Sequence, residues 1–83
     1  MNKETIFSDL QLVFRSVFND EKLVISPNTS QGSIEMWDSL NHAILIDKVE
    51  KHFDIKFDLM DMLVMQTAGE ICDKIIAKKG IRQ

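Results

Sequence analysis

Ser39 and His42 stand three residues apart, one helical turn, and Asp38 directly precedes the serine. A serine hydroxyl is a weak nucleophile until a base takes its proton, so this spacing first raises a Ser–His hydrolytic pair. Two features argue against it. No third residue is evident to orient His42, whose helical angle falls beside Val49, on the core side. There is also no Gly-x-Ser-x-Gly elbow around Ser39. His42 therefore reads as a histidine at the edge of a core, and Ser39 as an exposed hydroxyl at a helix start, either an ordinary helix-start serine or one an outside enzyme could modify. The other reactive side chains add no chemistry. His42 and His52 lie ten residues apart with no obvious third ligand, so no metal site is assigned. Cys72, the single cysteine, falls in an apolar helical stripe, where it is expected to act as a small inert hydrophobe. Neither a calcium-binding loop nor a glycine-rich phosphate cradle is present, and no catalytic residue is assigned.

The elements that position Ser39 follow from the pattern around it. Residues 19–37 form a long connection in which Leu23-Val24-Ile25 is followed by Ser, Pro, Asn, Thr and Gly. Loops longer than about 12–15 residues are uncommon in compact domains and are usually functional. Leu23, Val24, Ile25, Ile34 and Trp37 are expected to pin this loop to the core; a β-hairpin lacks a convincing second strand. The spacing then predicts a helix over 39–53. Asp38 is placed to cap it, accepting N–H groups of the first turn at the positive end of the helix dipole. At about 100° per residue, Leu45, Ile46, Val49 and Phe53 gather on one side and form the core face. Leu40, Ala43, Ile44 and Asp47 gather on the other, flanked by Glu50 and Lys51. Leu40 and Ala43 either pack beneath the long loop or join a docking surface for enzymes that visit Ser39.

Three further helices are predicted. In the first, over 3–18, Ile6, Leu10, Val13, Phe14 and Val17 recur at helical spacing, with Phe7 and Phe18 widening the stripe. Glu4, Asp9, Gln11 and Arg15 face away from it. A short helix over 58–63 takes Asp58 as its cap and turns Leu59, Met62 and Leu63 inwards. Met60, Met62 and Met65 nearby fill core space or line a cavity between helices. Thr67-x-x-Glu70 has the spacing of a capping box and opens the last helix, about 68–79. Ile71, Cys72, Ile75 and Ile76 form its buried face. Glu70, Asp73, Lys74 and Lys78 face solvent, Lys78 and Lys79 suit its negative end, and Gly80 stops it.

Composition narrows the function classes. The chain has 83 residues, enough for one small domain, and a chain of this size buries only about 60% of its unfolded surface. Its 45% hydrophobic content suffices for a core. A net charge of −3, with scattered lysines and a short basic tail, argues against a phosphate-binding nucleic-acid groove and suits docking on basic surfaces. One cysteine excludes an internal disulfide and fits a reducing, cytoplasmic compartment. No apolar run approaches the roughly 18 residues of a membrane span, and the amino terminus lacks the apolar segment of a secretion signal.

Ile25-Ser26-Pro27-Asn28-Thr29-Ser30, then Trp37-Asp38-Ser39-Leu40, then Val49-Glu50-Lys51-His52-Phe53 resemble the acyl carrier protein family over almost the whole chain. The sharpest signature is Asp38-Ser39-Leu40. The resemblance implies an all-α, four-helix carrier domain spanning 1–83, with a long first loop and a short third helix. It implies 4′-phosphopantetheine on Ser39, with Asp38 the helix cap beside it. It also implies a thioester-bound acyl cargo and a carrier that is not itself an enzyme. Expected partners are a phosphopantetheinyl transferase and acyl- or aminoacyl-activating and transferring enzymes, meeting a monomer through Leu40, Ala43, Ile44 and Asp47. Ile44 and Lys51 depart from the acidic residues common in fatty-acid carriers, which points to a dedicated, more apolar contact. The Trp before the motif resembles carriers beside small biosynthetic and surface-polysaccharide systems. An aminoacyl carrier and an unmodified helical interaction module stay open as alternatives.

Overall fold

The computed structural model describes residues 2–80; Met1 and the end of the basic tail, with Arg82, lie outside the described residues. The described chain is all-helical: α1 (Lys3–Val17), α2 (Ser39–Phe53), α3 (Leu59–Val64) and α4 (Ala68–Lys79). All four predicted helices are present, and α2 has the predicted limits.

α1 packs against both α2 and α4. Asn2 Oδ1 starts it by accepting the Thr5 N–H at 2.9 Å. Its stripe of Ile6, Leu10, Val13 and Phe14 meets Leu45, Ile46, Val49 and Phe53 of α2 and Ile71, Cys72, Ile75 and Ile76 of α4 in one core. Each such side chain contributes about 1.5–3 kcal/mol when fully buried. Burial pushes the Cys72 thiol above its ordinary pKa, and the neighbouring Asp73 charge adds to this, so the reactive thiolate is disfavoured.

The long loop is held by polar atoms as well as apolar ones. Gln11 and Arg15 do not simply face solvent: Gln11 Oε1 accepts the Ile25 N–H at 3.0 Å, and Arg15 Nε donates to the Leu23 carbonyl at 2.7 Å. Ile25 and Trp37 are buried, and Leu23 and Ile34 pack on the core. Val24 is exposed, contrary to expectation: its neighbours Leu23 and Ile25 take the places on the core. Further on, the Thr29 and Pro27 carbonyls accept the N–H groups of Ala68 and Gly69 at 2.8 and 3.0 Å. A Cβ on Gly69 would lie 2.8 Å from the Pro27 carbonyl oxygen, so this close approach requires glycine. At the start of α4, Thr67 Oγ1 accepts the Glu70 N–H at 3.1 Å. Only this half of the expected box forms, and Thr67 also bridges to Ser30. Gly80 ends α4 in the left-handed conformation, at φ 68°.

α3 departs furthest from expectation. Asp58 caps it as predicted, but Leu59 and Leu63 are 70% and 59% exposed, while Asp61 is the residue the helix buries. Met62 packs partly on the core, as expected. The cause is a reciprocal cap. Asp58 Oδ1 accepts the Asp61 N–H at 2.8 Å, and Asp61 Oδ2 accepts the Asp58 N–H at 3.1 Å. Lys74 and Lys78 of α4, expected to face solvent, instead reach Asp61 at 3.2 and 3.0 Å. Residues two positions either side of Asp61 lie about 200° round the helix from it, so docking Asp61 turns Leu59 and Leu63 outwards.

Candidate functional site

The Ser39 turn is built by the loop that precedes it. Trp37 is 2% exposed, its indole edge-on to Phe14 at 5.2 Å and 6.3 Å from Phe18. With Trp37 fixed in the aromatic cluster of α1, the next residue must leave the core, and Asp38 takes the extended conformation of a helix cap. Asp38 Oδ1 accepts the Asn41 N–H at 2.8 Å, and Asn41 Nδ2 donates back to the Met36 carbonyl at 2.7 Å. The turn is thereby closed on both sides by side chains other than Ser39. Ser39 is exposed at the first position of α2.

Leu40, Ala43, Ile44 and Asp47 follow on the same side of α2, and all four are exposed. Leu40 is 70% exposed, so it does not pack beneath the loop. Asp47 pairs with Lys51 at 3.0 Å, one turn along the helix. Glu50 does not belong to this surface. Its carboxylate turns inwards and accepts the Phe57 N–H at 2.7 Å, which fixes the segment leaving α2. That segment turns at Asp54, whose φ of 55° places it in the left-handed region.

His42 lies at the core edge, as its helical angle predicts, and it does have an orienting partner. Trp37 Nε1–H donates to His42 Nδ1 at 2.9 Å. That bond occupies the single ring lone pair of a neutral imidazole, the one a general base would use. His52 lies across from Asp9 of α1, at 3.8 Å. Among the described residues no group of three His, Cys, Asp or Glu could hold a metal ion.

Sequence reasoning missed two features. Leu59, Met60, Leu63 and Val64 of α3 add to the exposed apolar residues Met36, Leu40 and Ile44. The Asp61 cluster is the other. Its carboxyl is held down to about 2, first by the Asp58 N–H and then by the lysine partners, against the desolvation that opposes them. Asp58-x-x-Asp61 and the one-turn spacing of Lys74 and Lys78 are the sequence signals that carry this cluster. Met65 is fully buried, whereas Met60 is exposed. A groove of ≈ 300 Å³ between α3 and α4 reaches Met65 and Val64 but neither Met60 nor Met62.

No protein-family model and no curated protein matches the chain. A solved structure does: the solution NMR structure of holo acyl carrier protein from Geobacter metallireducens. It superposes with a TM-score of 0.84 at 35% identity, over 89% of this chain and 85% of that one. The chain belongs to the acyl carrier protein family. The four-helix arrangement is therefore that of a carrier fold, and its long first loop delivers the chain to the Asp38-Ser39-Leu40 turn. No described helix is long and apolar enough to cross a membrane.

Proposed function

We propose that this protein is an acyl carrier whose Ser39 is the attachment point of 4′-phosphopantetheine. The observation that carries the reading is an exposed serine, held on the first turn of α2 beside a capping aspartate, in a chain of the carrier family. The residues present suit that group. Asp38 and Asn41 supply the hydrogen bonds that close the turn, leaving the Ser39 hydroxyl uncommitted among the described residues. Asp38 satisfies one of the free N–H groups at the start of α2 and holds the first turn rigid. When bound, the arm supplies a terminal thiol that holds an acyl group as a thioester. The domain itself supplies solubility, a docking face and a fixed point of attachment, and it has no catalytic activity of its own. Tethering raises the local concentration of the cargo at each enzyme without tight docking.

Leu40, Ala43, Ile44 and Asp47 are proposed as the partner-contacting residues of α2. The apolar character of Leu40, Ala43 and Ile44, continued in kind by the exposed side chains of α3, favours enzymes with an apolar contact surface over ones that read only acidic charge. Partners are a phosphopantetheinyl transferase and the enzymes that load and unload the carrier, acting on a monomer in the cytoplasm. Aminoacyl cargo is the second reading, and the same turn serves it. Intact mass after incubation with coenzyme A and a broad-specificity transferase tests the proposal. A gain of one phosphopantetheine on the wild type, absent from Ser39→Ala, is expected. No gain with several transferases sinks the carrier reading and favours an unmodified interaction module.

A further inference from the structure

Trp37 and His42 make a contact that neither the helix cap nor the core requires. An indole N–H only donates, so the 2.9 Å bond from Trp37 Nε1 makes His42 Nδ1 an acceptor and places the imidazole proton on Nε2. Nε2 in turn lies 3.4 Å from the Met62 carbonyl of α3, and its N–H donates in that direction. The two rings lie near parallel, 24° apart in plane with centroids 5.9 Å apart. Trp37 comes two residues before Ser39 and His42 three after it. One imidazole thus ties the chain on both sides of Ser39 together. Through the indole it reaches the Phe14–Phe18 cluster of α1, and through Met62 it reaches α3.

We propose that Trp37 and His42 are positioning residues for Ser39. Their bond holds the Ser39 turn at a fixed attitude to α1 and α3, and so sets how the hydroxyl is presented to the enzyme that modifies it. The clause about modification rests on the carrier reading above; the clause about the geometry of the turn does not. Packing alone gives a different expectation. If the indole served only as apolar filler, any residue of similar bulk at position 42 would keep the turn in place. If the bond matters, an acceptor is needed there, because a buried indole N–H without one is costly.

The test uses the whole ¹⁵N-labelled chain. Its single tryptophan gives one indole N–H resonance. His42→Leu keeps bulk and removes the acceptor; His42→Asn restores an acceptor near the Nδ1 position. In His42→Leu the indole N–H is expected to exchange with solvent about tenfold faster and the amides of Ser39, Asn41 and Met62 to shift. Transferase kcat/KM for the carrier should fall about tenfold, as a misplaced reacting group predicts. His42→Asn, which restores the acceptor near Nδ1 but not the Nε2 donor towards Met62, should recover most of the indole exchange, the Ser39 and Asn41 shifts and kcat/KM, while the Met62 shift remains. The proposal is overturned if folded His42→Leu keeps wild-type amide shifts at Ser39 and Met62, or if His42→Asn behaves like His42→Leu in indole exchange and at Ser39. Should His42→Leu fail to fold, Trp37→Phe removes the donor while keeping an aromatic ring, and the same shifts are read. If no transferase modifies even the wild type, the carrier reading falls while the amide shifts still decide the geometry.

Discussion

α2 and α3 begin alike and end up docked in opposite ways. Each starts with an aspartate whose Oδ1 accepts the N–H three residues on, at 2.8 Å in both cases. In α2 the residue at that third position is Asn41, which donates back to the loop, and fifteen residues give the helix a long apolar stripe to bury. In α3 it is Asp61, which completes the reciprocal cap and is then gripped by Lys74 and Lys78, and six residues offer little stripe. The long amphipathic α2 is oriented by its hydrophobic face, whereas α3, under two turns long, is oriented by the polar anchors at Asp61. The apolar residues that α3 leaves outside are thus free for another surface.

Breaking the α2 side of this contrast should have the largest effect. Leu45→Ala removes a fully buried side chain from the α1–α2 contact and should cost about 2–5 kcal/mol, read from the urea midpoint. Next comes Asp61→Asn, which leaves Lys74 and Lys78 without their carboxylate. A lower midpoint at neutral pH is expected, smaller than for Leu45→Ala, together with faster amide exchange in α3. The pH dependence has a definite sign. The folded carboxyl sits at about 2 against an ordinary 3.8, so its stabilisation is present above pH 3.8 and lost as pH falls from there towards 2. Asp61→Asn should flatten that part of the acid limb; an unchanged acid limb would remove Asp61 from the account. Leu63→Ala and Ile44→Glu should have the smallest effects on stability, within about 0.5 kcal/mol, because both side chains are exposed. Ile44→Glu should nevertheless slow turnover with an enzyme that docks on the proposed face by about tenfold, and wild-type turnover would disqualify this face as a docking surface.

The legible parts of the chain were those in which local signals and burial agree. The stripes of α1, α2 and α4 repeat over three or more turns, so their buried faces could be read from spacing alone. Asp38 and Gly80 were legible because capping residues act within a few positions of themselves. The exposure of Leu59 and Leu63 escapes the sequence because two leucines in a six-residue helix carry no periodicity, while the lysines that decide its rotation lie on another helix. Arg15 and Gln11 look solvent-facing in the sequence for a similar reason: their partners are loop backbone atoms that no residue pattern marks. The Ser39 turn was located from Asp38-Ser39-Leu40, but the indole–imidazole bond beside it depends on tertiary placement.

The proposed cargo and partners all rest on one proposed covalent event, so the most direct measurement is fragment-mass mapping of the chain after treatment with coenzyme A and a transferase. The account predicts all of the added phosphopantetheine on the fragment containing Asp38-Ser39-Leu40, with Ser39 as the modified residue. Added mass on another serine, or none on any fragment, would contradict it.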